Sequence, residues 1–121
     1  VKAVFDDSKP IFQQIAEMIA DDIVEGFLKE GDKLPSTTEL SAFYQINRAT
    51  AQKGLTTLVE GGLVYKQRGV GMFVQKGAKA TLTEQRKQHF YKHYIEPLLD
   101  EAKRIDLNKS EIIHFIEQSL D

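Results

Sequence analysis

The chain contains no cysteine. That excludes a disulfide framework, a thiol nucleophile and a cysteine-ligated zinc finger. It also fits a reducing cytoplasm, the compartment expected for this chain. No apolar run approaches the roughly 18 residues a membrane helix requires, and no secretory leader pattern opens the chain. No nucleophile–base–acid set emerges, so neither an enzyme nor a cofactor is expected. The most informative scarcity is local. Residues 43–80 carry a single acid, Glu60, against six bases: Arg48, Lys53, Lys66, Arg68, Lys76 and Lys79. Residues 1–42 and 81–121 are both acidic on balance, and the whole chain carries a net charge of −2. An overall charge of that sign argues against a polyanionic partner. A basic excess confined to one segment argues for one, provided the bases share a surface.

What is present reads as one small helical domain with an appendage, in 121 residues. Pro10 suits a helix start, where its missing N–H would have had no partner. Ile11, Ile15, Met18, Ile19 and Ile23 then recur at three-to-four spacing and mark an apolar helical face. Gly26 reads as its left-handed end, with Phe27 and Leu28 expected in the core. Gly31-Asp32 is a turn, and Lys33-Leu34 a very short extended piece before Pro35. Ser36-Thr37-Thr38-Glu39 is a capping box for a short helix from Thr37 to Tyr44, with Leu40 and Phe43 facing inward. Gln45-Ile46-Asn47 makes a tight connection, and Asn47 caps a third helix from Arg48 to Glu60. Ala51, Leu55, Leu58 and Val59 form the buried face of that helix, and Arg48, Thr50, Gln52 and Lys53 crowd its exposed first turns. Two short helices around a tight turn, the second polar and basic where it begins, are the parts of a helix-turn-helix.

Gly61-Gly62 stops the third helix. Residues 63–67 and 72–75 read as two strands, and Arg68-Gly69-Val70-Gly71 between them supplies the glycines a tight hairpin requires. This short glycine segment follows a strand without opening a helix, so it is no dinucleotide fingerprint. A basic hairpin directly after a helix-turn-helix is a wing. Residues 77–80 are expected to be a linker, and Thr81-Leu82-Thr83-Glu84 a capping box opening a long helix that Pro97 should kink. A last helix begins after Asn108, with Leu107 stapled on Ile112. The domain boundaries read from sequence are therefore 9–76, 77–80 and 81–121.

The tail, residues 81–121, contains 15 apolar or aromatic residues out of 41. Two helices alone cannot hide that much from water, so Phe90, Tyr94, Leu98, Leu99, Ile105, Ile112, Ile116 and Leu120 are expected to form a dimer surface. Folding back on the first domain is the other way to cover them. His89 and His93 stand four apart on this helix, but no third ligand is evident, and no metal site is expected. A small-molecule effector near Tyr91, Tyr94 and Pro97 is a further reading, with no ligand identity attached.

Taken together, Pro10-Ile11-Phe12-Gln13-Gln14-Ile15, Gly31-Asp32-Lys33-Leu34-Pro35-Ser36, Arg48, Gly61-Gly62-Leu63 and Gly69-Val70-Gly71-Met72-Phe73-Val74 resemble a GntR-family winged helix-turn-helix regulator. The short tail looks most like the YtrA subfamily. The fold class implied is mainly α with a small β-hairpin wing, followed by a two-helix dimerisation segment. The function implied is a homodimeric repressor on a palindromic double-stranded operator, often beside an ABC-transporter operon. Carried over by position, the base-reading arginine falls on Arg48, the phosphate-binding hydroxyl on Thr50, and the polar pair on Gln52 and Lys53. The wing-tip pair falls on Arg68 and Gly69, with Gly71 in the same wing, and Ser36 lies by the DNA backbone. Arg48 suits bidentate pairing with guanine, Gln52 suits adenine, and Lys66 adds general electrostatics. The chain departs from the family at Thr38, where many members carry arginine, and at Gly54, where a helix-forming alanine is usual. A winged-helix module that binds a protein partner is the alternative reading.

Overall fold

The computed structural model describes residues 5–120. Its elements in chain order are α1 (Ile11–Glu25), α2 (Thr37–Tyr44), α3 (Arg48–Glu60), β1 (Val64–Gln67), β2 (Gly71–Val74), α4 (Ala78–Phe90), a π-helical turn (Tyr91–Ile95), α5 (Glu96–Arg104) and α6 (Lys109–Ser119). Two compact units divide after Thr83. No helix among the described residues is long and apolar enough to cross a membrane.

In the first unit the apolar spacing of α1 becomes a buried stripe of Ile15, Ile19 and Ile23. These meet Leu40 of α2, Ala51, Leu55 and Leu58 of α3, and Val64 and Val74 of the strands. Three isoleucines at this spacing bury one face of the helix and leave the other to solvent. α1 ends at Gly26 with a φ of 88°, which a residue without a Cβ adopts at no steric cost. The sequence places Phe27 and Phe43 in the core, and the structure does not. Phe27 is 75% exposed, while the next residue, Leu28, packs against the core. Phe43 is 49% exposed and instead packs edge-on against Tyr44, ring centres 4.8 Å apart.

Both predicted caps of the helix-turn-helix form. The Ser36 hydroxyl accepts from the Glu39 N–H at 3.1 Å, and the Glu39 carboxylate accepts from the Ser36 N–H at 2.8 Å. The Asn47 side chain accepts from the Thr50 N–H at 2.7 Å. Between the helices Gln45 takes a left-handed conformation, φ 56°, and the Ser41 hydroxyl donates to the Ile46 carbonyl. α1 crosses α3 closely at Gly54. A methyl group there would lie 3.0 Å from Ile15 Cγ2 and 3.1 Å from the Phe12 carbonyl oxygen.

The strands pair antiparallel with Val64 opposite Val74 and Gln67 opposite Gly71. β2 starts one residue before its expected position, because Gly71 already pairs, and β1 starts one residue after its own, at Val64. The short extended piece is also real. Lys33 bridges Phe73, and the Leu34 N–H donates to the Met72 carbonyl at 2.8 Å, so the wing is fixed to the domain on its outer edge.

Residues 78–80 are not a linker. They are the first turn of α4, and Ala78 and Leu82, one turn apart, are both buried in the core of the first unit. The supposed capping box at 81–84 therefore lies inside a helix, where its N–H groups already have partners one turn back. In the second unit Pro97 produces a π turn rather than a break. The Glu96 N–H reaches back five residues to the Tyr91 carbonyl, resetting the ladder just before the ring that cannot donate. Asp106, at φ 56°, turns the chain, and Asn108 with Glu111 forms the predicted capping box of α6.

Candidate nucleic-acid interface

The first turns of α3 carry the chemistry. Asn47 ends the turn and caps the helix, so Arg48 stands exposed at its very start. Gln52 follows one turn later on the outer face. Its carbonyl oxygen accepts from the Thr37 hydroxyl at 2.7 Å, and its amide donates to the Thr56 hydroxyl at 3.4 Å. Thr50 is half-buried, with its backbone N–H committed to Asn47. Lys53 leans the other way, toward α1, with its ammonium 4.2 Å from the centre of the Phe12 ring. That contact draws Lys53 away from the face that carries Gln52.

The wing places its bases by hairpin geometry. The Val70 N–H donates to the Gln67 carbonyl at 2.9 Å, closing a turn around Arg68 and Gly69. Gly69 has φ 77°, a conformation that suits the third position of such a turn. Arg68 and Gly69 are exposed at the tip, beside Val70, which is also exposed. Gly71 opens β2 just past this turn, opposite Gln67, where a methyl group would meet the Lys33 side chain at 2.7 Å.

One groove of about 320 Å³ connects these parts. Ser36, Thr37 and Thr38 from the start of α2, Gln52 from α3, and Lys66 and Gly71 from the wing all line it, together with Lys33. Five residues predicted from separate motifs (Ser36, Thr38, Gln52, Lys66 and Gly71) thus share one concave surface. Thr37 and Lys33 join them and were missed. The sequence marks Thr37 only as part of a cap, and Lys33 only as the exit from a turn. Among the described residues Glu39 is the one acid lining the groove, and its carboxyl is held below the usual range by the Ser36 backbone and side-chain hydrogen bonds, with Lys33 adding a smaller attraction.

In the second unit the eight predicted interface residues do not sit in a core. Phe90, Tyr94, Leu98, Leu99, Ile105, Ile116 and Leu120 are exposed in this chain, and Ile112 is half-buried. Ile113 and Phe115 are exposed too, and belong with them. Leu98, Ala102, Ile105, Ile112, Phe115 and Ile116 line an apolar groove of about 250 Å³ between α5 and α6. The His89 and His93 rings stack with centres 4.0 Å apart, and no three metal-ligating side chains gather among the described residues.

A helix-turn-helix with a basic wing and a polar, capped third helix defines a winged-helix DNA-binding regulator rather than an enzyme. The family described as "Bacterial regulatory proteins, gntR family" matches residues 11–74. The transcriptional repressor YtrA of Bacillus subtilis is 30% identical, over 92% of this chain and 85% of its own length. A solved GntR-family transcriptional regulator from Listeria monocytogenes is 33% identical with a TM-score of 0.70, covering 94% of this chain and 98% of that one. The DNA-binding domain of AraR, solved in complex with operator ORX1, is 29% identical with a TM-score of 0.54, over 61% of this chain and 90% of that one. This chain belongs to the GntR family and is a transcriptional regulator.

Proposed function

We propose that the chain is a homodimeric repressor that reads a palindromic operator, with α3 in the major groove and the wing in the adjacent minor groove. The single observation that carries this is the shared groove. It joins the N-terminus of α2, the outer face of α3 and the wing on one surface, and Arg48 of α3 and Arg68 of the wing tip are both exposed. In this arrangement Arg48 reads guanine, Gln52 contacts a neighbouring base, and Thr50, Ser36 and Thr38 set register against phosphates. Arg68 with Gly69 follows the minor groove, where negative potential is strongest when it is narrow. The apolar surface of the tail is covered by a second copy, which gives the two-fold symmetry that a palindrome mirrors. Likeness to YtrA supports repression, and the subfamily resemblance points to a transporter-type operon next to the regulator's own gene.

A gel shift on DNA from the chain's own promoter region tests the reading. Binding should exceed that to scrambled DNA, and its logarithm should fall linearly with that of salt concentration. Salt-insensitive binding, or no preference for the promoter over scrambled DNA, would overturn it.

A further inference from the structure

We infer that Thr37 is a positioning residue for base selection, fixing the Gln52 carboxamide so that it presents a hydrogen-bond donor to the major groove. This rests on the reading of α3 as the recognition helix and deepens it. Thr37 is the first residue of α2, placed there by the Ser36 cap. Its hydroxyl donates to Gln52 Oε1 at 2.7 Å, across 15 residues of sequence. At the other end Gln52 Nε2 donates to Thr56 Oγ1, one turn further along α3, at 3.4 Å. The carboxamide is therefore held between two hydroxyls. The Thr37 contact, at 2.7 Å, is the stronger of the two holds, and the Thr56 contact, at 3.4 Å, is long for an amide donor.

The consequence is chemical. Pairing with adenine uses both ends of a glutamine: Oε1 accepts from N6–H and Nε2 donates to N7. Here Oε1 is turned toward Thr37 and one Nε2 hydrogen toward Thr56. Oε1 keeps a second lone pair, but a base that uses it must share the oxygen with the Thr37 hydroxyl, whereas the second Nε2 hydrogen is free as a donor. A donor matches an edge that presents acceptors, guanine O6/N7 or thymine O4. Adenine places its own N6 donor beside N7, and that donor would compete with the Thr37 hydroxyl for Oε1. Thr37 thus moves the preference at the Gln52 position away from adenine without touching DNA itself.

Binding-site selection from random DNA, run in parallel on the wild type and the T37V, T37S and Q52A variants, tests this. Q52A locates the base pair that Gln52 reads, by the one position at which preference collapses. At that position the wild type and T37S should favour guanine or thymine, and T37V should shift toward adenine by roughly tenfold. All other positions should keep their preferences, which a general loss of structure would not allow. Thermal melting checks that T37V is folded, and T37A takes its place if it is not. A T37V profile identical to wild type, or wild-type preference for adenine at that position, would overturn the role given to Thr37. Failure of the wild type to select any site would instead overturn the reading of α3.

Discussion

At Gly54 one methyl group separates a close helix crossing from a strained one. Alanine is favoured over glycine by about 1 kcal/mol in a helix interior. Its Cβ would nevertheless lie 3.1 Å from the Phe12 carbonyl, which belongs to the backbone of α1 and cannot rotate away. Overpacking of this kind costs roughly 1–3 kcal/mol. G54A should therefore lower stability by about 1 kcal/mol in urea denaturation, and a stabilised variant would show that α1 can shift. The departure from the family at this position thus has a packing reason, where the sequence leaves close packing and simple tolerance both open. Arg48 is the opposite case, a side chain whose position follows from a local signal, the Asn47 cap. R48A should weaken specific binding by roughly 1–3 kcal/mol and relax one base position, read by competition with single-base variants of the operator. Phe27 and Phe43 were misjudged because hydrophobicity alone cannot say which side of a helix end faces the core.

Among the elements, α2 depends most on its cap. With only eight residues it has little helical cooperativity of its own, and the Ser36–Glu39 box satisfies two groups that would otherwise be unpaired. The hydrogen bonds from Ser36 favour the ionised Glu39, so its folded pKa lies below the ordinary 4.5. The stabilisation is thus complete above that value and is lost as pH falls through the depressed folded one. E39Q keeps a carbonyl acceptor but loses the charge, so its melting temperature should fall less steeply in acid than that of the wild type. Equal slopes would remove Glu39 from the acid response. The caps of α2, α3 and α6 were legible because each is complete within four residues. The start of α4 was not. Its first turn at 78–80 is stabilised by Ala78 and Leu82 packing into the core, and nothing local announces that. The π turn before Pro97 was likewise foreseen only as a kink.

For the whole molecule, the largest demand is the apolar surface of the second unit. Leu120 is 72% exposed, and Phe90, Tyr94 and Phe115 are each more than half exposed. Patches of this kind mark interaction sites in soluble proteins. Sedimentation should show a dimer for the wild type, and L98E with I116E should yield monomers that lose operator affinity while retaining the helical content of the first unit. A double variant that still dimerises would place the interface elsewhere. The sequence by itself determined the element order, the caps, the helical and strand periods, the confinement of basic charge to residues 43–80, and the family. Each of these is written in spacings of a few residues or in composition over a segment. Only the tertiary structure decided that Thr37 meets Gln52, that Lys53 is drawn to Phe12, that Gly54 admits α1, and that Ser36, Thr38, Gln52, Lys66 and Gly71 line one groove. Those contacts reach across as many as 42 positions of sequence, from Gly54 to Phe12. They arise from helices packing across a shared core, which fixes side-chain neighbours that no local pattern encodes.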